Sequence, residues 1–496
     1  MPVATGVRVV SPHTTVRLES SRFACGHLQI AAMRGREELG VPLDFDLEVT
    51  ALDAGGLDPD VVLGADATLV FERHGAQVRR VHGMIASMTD LLRLDDACLE
   101  YRLRLVPRVH RLTLVETQEV FLSKSVPDIL VEKLARAGLH APDDVALRLE
   151  GTYPPRDLVV QYRESDLAFV SRLAEHVGIT LRFEHDGARD VVVLSDSNQT
   201  FAPVAGDPAI LFDQPTAEVH ITELATTRAV APARHYVVDY FDQHPRLDLK
   251  ATHNGVPAGA AGEVVEHGAM HRSPEEGKQL ARVRNEERAA GNGVYEGRST
   301  AAALEPGRTF TVEGHPRLAD KPLVVVAVEH TIVQPVTGGA HGGDREPVPY
   351  ANRFRAILPA TSYRPPRRTR KPRICGLLHA VTQVAKGATT KRIANIDEQG
   401  RYTVRFYFDM TPETERAVSS PPVRMLQPHA GPGYGMHFPL KPDVEVMVAF
   451  VDGDPDRPMI VGAVPNVLTP SVVTRGNHQA HKILTESGHF FVMKDL

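Results

Sequence analysis

Acidic residues recur at every second position in Asp452-Gly453-Asp454-Pro455-Asp456-Arg457-Pro458, the loudest local signal in the chain. Carboxylates at that spacing could ring a calcium ion, but an EF-hand loop needs Gly at its sixth position and a bidentate Glu at its twelfth. Counted from Asp452, those places hold Arg457 and Ala463. Gly, Pro and Asp also supply turn dihedrals, and the segment lies between VEVMVAFV and MIVGAV, so it reads as a rigid hairpin turn. A second stretch, "DEQGRYTVRFYFD" (397–409), follows a turn ending at Gly400. Its alternation sets Tyr402, Val404, Phe406 and Phe408 on one face and Arg401, Thr403, Arg405, Tyr407 and Asp409 on the other, as in a strand with one apolar face. A third, "SYRPPRRTRKPRI" (362–374), gathers Arg364, Arg367, Arg368, Arg370, Lys371 and Arg373 among prolines.

Arginines beside a small barrel could hold single-stranded nucleic acid if exposed rings offered stacking platforms. Tyr402, Phe406 and Phe408, however, share the face a barrel needs for its core. The 23 histidines are scattered, and no HExxH or His-plus-Cys spacing marks a metal site. No G-x-S-x-G elbow or phosphate-binding G-x-x-x-x-G-K-[ST] loop is present. Carboxylate pairs of the glycosidase kind depend on geometry, and no local pattern marks one. No residue is assigned to catalysis, to a cofactor or to a metal.

The elements that must position these stretches are mostly strands. The 496 residues suffice for about three domains. Lys plus Arg is 56 against 62 for Asp plus Glu, a balance of −6 that argues against a dedicated polyanion binder. Cys25, Cys98 and Cys375 lie far apart without a CxxC spacing and read as thiols of a reducing compartment. The N-terminus lacks a basic-then-apolar leader and no apolar run approaches the length of a membrane span, so neither a signal peptide nor a membrane anchor is expected. Export by a machine that ignores leaders stays open.

Up to residue 120 the pattern alternates, as in "LDFDLEVTAL", with a hairpin turning at His74-Gly75. Ser125 with Asp128, Ser165, and Ser273 with Pro274 and Glu276 open three predicted helices; Gly138 and Gly178 stop the first two, and the third dissolves into Gly291-Asn292-Gly293. Strands resume around a Gly-rich loop at 338–343. The 362–374 segment is predicted to be an extended linker and domain boundary. Five further strands, from "ICGLLHAVTQV" to "MIVGAV", have the size and count of a small Greek-key barrel such as the OB fold. The last thirty residues carry short apolar pairs between polar turns.

Seven stretches, in order, carry a resemblance: "HGMI" (82–85), "YRLRLVPRVHRL" (101–112), "SVPDIL" (125–130), "QYRESDLAFVSRLAEHVGITLRFEH" (161–185), "YRPPRRTRKPRI" (363–374), "DEQGRYTVRFYFD" (397–409) and "GDPDRPMIVGAVPN" (453–466). Together they resemble the VgrG family, the trimeric spike of bacterial type VI secretion, related to hub and needle proteins of contractile phage tails. Where that family usually carries tryptophan this chain has Phe408, Val423 and His429, and it has no Trp at all. The resemblance implies a mainly β fold with a few inserted helices: a phage-hub-like double β-barrel over 1–370, an OB-fold neck over 371–466, and over 467–496 the start of a triple-stranded β-helix needle.

It implies a homotrimer that caps the Hcp tube, carries a PAAR-type tip protein and effector proteins, and contacts baseplate components, with no nucleic acid and no stable membrane anchoring. Assembly in the cytoplasm would precede expulsion by the machine. Gly400, Arg401, Arg405 and Asp409, with Gly453, Asp454, Pro455, Asp456 and Arg457, are the expected structural and interaction residues. Arg401, Arg405 and Asp409 are expected to meet the 453–458 turn or a neighbouring subunit. Two other readings stay open: the hub of a contractile phage or extracellular injection particle, and a spike with an enzymatic domain after residue 496.

Overall fold

The computed structural model describes residues 14–495 apart from 53–54, 92–98, 254–259, 319–320, 337–345, 385–393 and 412–418. Residues 1–13, Cys98 and the Gly-rich loop at 338–343 lie outside the described residues. The chain divides into two units, one of residues 1–115, 130–153 and 166–370, the other of residues 116–129, 154–165 and 371–496.

In the first unit alternation becomes barrel wall. Strand Val41–Ala51 buries Leu43, Phe45, Leu47 and Val49 and turns Asp44, Asp46 and Glu48 away from the core. The hairpin forms where His74-Gly75 predicts it, with Arg73 opposite Ala76 and both turn residues at positive φ, 52° and 76°. Six strands follow one another across the sheet in the order Thr15–Glu19, Asp66–Arg73, Ala76–Asp90, Leu99–Val106, Val41–Ala51 and Leu28–Glu38. The Gln334 side chain stitches its first and last strands. Its amide oxygen accepts from Val16 N at 2.7 Å, and its amide nitrogen donates to Val16 O at 2.9 Å and to Ile30 O at 2.8 Å.

Leu28–Glu38 pairs onward with Pro322–Val333, which belongs to a second ring. That ring runs through Thr309–Glu313, Ala209–Phe212, His220–Thr227, Val294–Ser299 and Val348–Ile357, and closes when Val348–Ile357 pairs back with Pro322–Val333. Closure removes the free edges that an open sheet would expose. The fold is thus mainly β, with two barrels sharing one continuous sheet.

The helices start as their caps dictate. Ser125 and Asp128 cap reciprocally, Ser125 N donating to the Asp128 carboxylate and Asp128 N to Ser125 Oγ, both at 3.3 Å, ahead of Val126–Arg136. Ser273 Oγ accepts from Glu276 N at 3.2 Å ahead of Pro274–Ala290. Asp166–Val177 ends at Gly178, whose φ of 78° favours glycine.

Charges are buried inside the first unit as well. Glu37 accepts two bonds from Arg79, at 2.7 and 2.8 Å, and faces His330 Nε2 at 2.8 Å; the other ring nitrogen of His330 lies 2.7 Å from Tyr350 Oη. Burial acts to raise the Glu37 pKa, but the Arg79 charge and His330 outweigh it and hold the carboxyl well below the usual range.

The predicted 362–374 linker is neither helix nor strand, yet its 363–370 part is no free tether. Tyr363 and Arg364 are buried. Tyr363 Oη donates to Leu39 O at 3.0 Å, Arg364 pairs with Glu286 at 2.6 Å, Arg367 with Glu266 at 2.8 Å, and Arg368 with Glu38 at 2.6 Å. Composition cannot reveal these carboxylates because they come from distant strands and helices. Burial would raise the Glu38 pKa, but Arg368, Arg355 and Arg36 around it bring it down to about 2.

The second unit holds a four-stranded sheet in the order Val404–Phe406, Leu378–Thr382, Glu445–Phe450 and Pro458–Ala463. Single bridges Tyr402↔Val423 and Met425↔Ile460 extend it. The antiparallel pair of strands Glu116–Lys124 and Arg156–Ser165 contributes Leu158, Val160 and Tyr162 to the same core as Tyr402, Val404, Phe406, Val446, Val448 and Ile460. Each such side chain contributes roughly 1.5–3 kcal/mol on burial. Further along, Ala480–Leu484 and Phe490–Lys494 form a two-stranded hairpin on which Phe490, Phe491 and Met493 are exposed.

Candidate functional site: the joint of the second unit

The 397–411 stretch and the 452–458 turn sit at different places in one sheet. The strand Val404–Phe406 lies at one edge, the turn joins Glu445–Phe450 to Pro458–Ala463 at the other side, and Leu378–Thr382 lies between. Arg401, Arg405 and Asp409 each have a partner within their own stretch. Arg401 closes on Asp397, its backbone N donating to Oδ1 at 2.9 Å and its Nε to Oδ2 at 2.7 Å. Burial acts to raise the Asp397 pKa, but the Arg401 donors overcome it and leave it lowered. Gly400, at φ 75°, lets the chain turn between them. Arg405 lies over the Tyr407 ring at 5.9 Å from its centroid. Asp409 is buried and accepts from Thr411 N at 3.0 Å and Thr411 Oγ1 at 2.6 Å.

The predicted nine-residue strand is shorter than its alternation suggests. Regular pairing covers Val404–Phe406, because Asp409 N turns back to Phe406 O at 3.2 Å and ends the ladder. Tyr402, Val404 and Phe406 are core, as their face predicts; Phe408 is partly buried, stacked on Phe406 at 5.1 Å and edge-on to Tyr162 at 5.4 Å.

The acidic segment is a turn. Val451 N donates to Arg457 O at 3.0 Å and Arg457 N to Asp454 O at 2.9 Å, with Asp452 and Gly453 at positive φ, 54° and 72°. Gly453 O accepts from Ile374 N at 2.9 Å. Lys371 Nζ reaches Asp454 Oδ1 at 2.5 Å and Asp456 Oδ2 at 2.6 Å. Asp456 is buried beside Pro455, and its other oxygen accepts from Val160 N at 2.7 Å. One carboxylate thus joins the basic segment, the turn and the strand Arg156–Ser165. Charge-assisted bonds of this kind are about twice as strong as neutral ones.

In the sequence Lys371 stands out only as part of the basic segment, without its carboxylate partners, and Val160 and Tyr162 do not stand out at all. The strand pair Glu116–Lys124 and Arg156–Ser165 touches both predicted stretches, through Val160 to Asp456, Tyr162 to Phe408, and Gln118 O accepting from Met410 N at 2.8 Å. The readable signal was the apolar alternation Leu158, Val160, Tyr162, the face of a strand with a second partner surface. Among the described residues no group of three or more His, Cys, Asp or Glu side chains is placed to hold a metal ion, and no helix is long and apolar enough to cross a membrane. Cys25 and Cys375 are free thiols, and burial raises that of Cys25 to about 11.

Comparison with known proteins agrees with this architecture. Residues 36–336 match the family described as phage tail baseplate hub (GPD), and residues 391–464 the type VI secretion system/phage-baseplate injector OB domain. The type VI secretion system spike protein VgrG1b of Pseudomonas aeruginosa is 30% identical over 448 residues, covering 88% of this chain and 59% of that protein. The actin cross-linking toxin VgrG1 of Vibrio cholerae is 26% identical over 431 residues, covering 85% of this chain and 38% of the toxin. The chain therefore spans little more than half of the first relative and less than half of the second. The E. coli c3393 protein, described as a type VI secretion system component with structural similarity to T4 bacteriophage tail proteins gp27 and gp5, superposes with a TM-score of 0.64 at 25% identity, covering 90% of this chain and 100% of that one. The fold is also that of a chain in the Francisella PdpA-VgrG complex, with a TM-score of 0.62 at 8% identity over 97% of this chain and 75% of that one.

Proposed function

We propose, from the premise that this chain belongs to the phage tail baseplate hub family and within it to the VgrG spike proteins, that it is a structural spike of a contractile injection machine. The observation that carries the reading is the pair of barrels built on one continuous sheet through Pro322–Val333. Three chains with two barrels each would make a ring of pseudo-sixfold character, a seat for a hexameric Hcp tube. Residues 1–370 serve as the hub, apart from 116–129 and 154–165, which cluster with the neck; 371–466 serve as the neck and 467–496 as the first part of the needle. The exposed apolar residues of the 480–494 hairpin support the needle assignment, since a lone two-stranded hairpin is marginal in water and gains stability when further strands cover it.

In this reading the chain acts mechanically, carrying a PAAR-type tip protein and effectors and leaving the cytoplasm when the machine fires. The 452–458 turn, through Asp454, Asp456 and Lys371, locks the neck internally. Arg405 and the exposed Tyr407 and Met410 beside it face a neighbouring subunit. Light scattering of the purified chain tests this: a trimer is expected at micromolar concentration, and Arg405→Glu should shift it toward monomer with the circular dichroism unchanged. A stable monomer for the parent chain sinks the spike assignment, and an unaffected trimer in the variant sinks the role of Arg405. A baseplate hub of a phage or extracellular particle is the second reading, favoured by the description of the family matched over residues 36–336. Loss of tube-protein release from a type VI-competent bacterium on deletion of the gene separates the two.

A further inference from the structure

The strands that bury Glu37, His330 and Asn352 turn Arg36, Glu329 and Arg353 outward. Cross-strand register continues this outer row: Arg36 opposite Glu329, Glu329 opposite Arg353, Arg353 opposite Arg298, and Arg298 opposite Glu223. Across five strands the charges run plus, minus, plus, plus, minus. A groove of about 470 Å³ lies over this face.

The plus-plus step is anomalous. Like charges directly opposite one another on a sheet are destabilising. Arg298 finds Glu223 only at 3.4 Å. Arg36 and Arg355 are both committed to Glu38, at 2.6 and 2.7 Å. The Arg353 guanidinium has no ion pair or hydrogen bond among the described residues. A local rule broken without relief inside the chain is what a binding site looks like before its ligand arrives. The chain as a whole carries −6, so a bare arginine pair is not a sample of a generally basic surface.

We propose that this groove receives an extended, carboxylate-bearing segment of a partner polypeptide, with one side-chain carboxylate seated between Arg298 and Arg353. Guanidinium groups match a carboxylate in paired, planar bonds. A nucleic acid fits poorly: Glu329 and Glu223 stand roughly one strand spacing, ~4.8 Å, to either side of the arginine pair and would repel a continuous line of phosphates. A polypeptide can alternate acidic with neutral or basic side chains and meet the row as it stands. This surface is distinct from the neck and from subunit contacts at Arg405, so its failure leaves the spike assignment untouched.

The test uses the full chain and a fluorescein-labelled short peptide alternating Glu and Thr, followed by fluorescence anisotropy at low salt, with a Gln-for-Glu peptide and inorganic phosphate as controls. The Glu peptide should bind and the Gln peptide should not. Arg353→Gln and Arg298→Gln should each weaken binding by ~10-fold or more, the usual loss for a charge-assisted bond. Without ligand, Arg353→Gln should melt at the same or a higher temperature than the parent, because the like-charge pair is gone; a purely structural arginine would give a lower one. Undiminished peptide binding by the double variant overturns the proposal. So does phosphate binding without peptide binding, or a changed oligomeric mass in the double variant with peptide affinity intact, which would make the occupant a second copy of this chain. A melting temperature lowered by Arg353→Gln overturns it too.

Discussion

The strands Leu28–Glu38, Pro322–Val333 and Val348–Ile357 have two charged faces with opposite bookkeeping. Inward, Glu37 meets Arg79 and His330, His330 meets Tyr350, and Asn352 Nδ2 donates to Tyr350 Oη at 3.0 Å. Outward, the row from Arg36 to Glu223 leaves Arg353 opposite Arg298. A charge removed from water must be matched, because desolvation costs several kcal/mol per ion. Water and salt screen a charge left at the surface, so a mismatch there is tolerable and free to serve binding. Position in the pleat, one residue apart, decides which regime applies.

The inner face should break hardest. Arg79→Met leaves Glu37 and the partly matched Glu305 without the guanidinium they share. Removing one partner of a buried pair costs ~3–5 kcal/mol, read as a fall in the denaturant midpoint of the first unit. Adding Glu37→Gln should recover a large part of the loss, since an apolar-neutral pair is far less costly than an orphaned carboxylate. A double variant no better than the single would show that packing, not charge, dominates at Arg79.

Acid should expose the same face more gently. His185 Nδ1 accepts from His82 N at 3.0 Å, and its Nε2 has no partner. Burial pushes His185 down to about 3 from its ordinary 6.5, the Glu37 charge opposing and Arg79 adding to the fall. Between those values the unfolded chain holds a proton that the folded chain refuses. Stability therefore rises with pH across the window and is lost as pH falls below about 6.5, by at most ~1.4 kcal/mol per pH unit from this group. Glu37 adds a separate loss further down, as pH falls from its ordinary range through its depressed folded value. His185→Asn keeps an acceptor for His82 N and should flatten the upper part of the profile in denaturation measured across pH.

Much of this was readable in the sequence, for physical reasons that differ by region. Alternation in 41–51 assigned each side chain to a face because strand period is local, and His74-Gly75 and Ser273 named their turn and cap through bonds that span a few residues. The 362–374 segment misled because its partners Glu38, Glu175, Glu266 and Glu286 are far away in sequence; Thr369 alone donates two bonds to Glu175. The 401–409 stretch alternates beyond its ladder because side-chain alternation does not report where strand pairing stops. Of the neck site, the turn chemistry of 452–458 was legible and the two groups it holds, Lys371 and Val160, were not: nothing in a lone lysine or a backbone N–H announces a buried carboxylate 85 or 296 residues on.

The smallest effect belongs to the outer face and decides whether the contrast is one of environment or merely of partner number. Glu329 stands between Arg36 and Arg353 in register, so Glu329→Gln removes the attraction that offsets two arginines. If screening governs this face, the cost should be within ~1 kcal/mol, the range of exposed or cross-strand charge pairs. It should also vanish at 1 M salt, where the Debye length shrinks to about 3 Å. Glu37→Gln, from the inner side of the neighbouring strand, should lose stability to nearly the same extent in low and high salt, because ions do not reach Arg79 and His330. Parallel denaturation curves for the two variants at both salt concentrations measure this directly. A salt-insensitive loss at Glu329 would place that carboxylate in the buried regime, and the outer row would then be part of the fold's own framework instead of a surface held open for a partner.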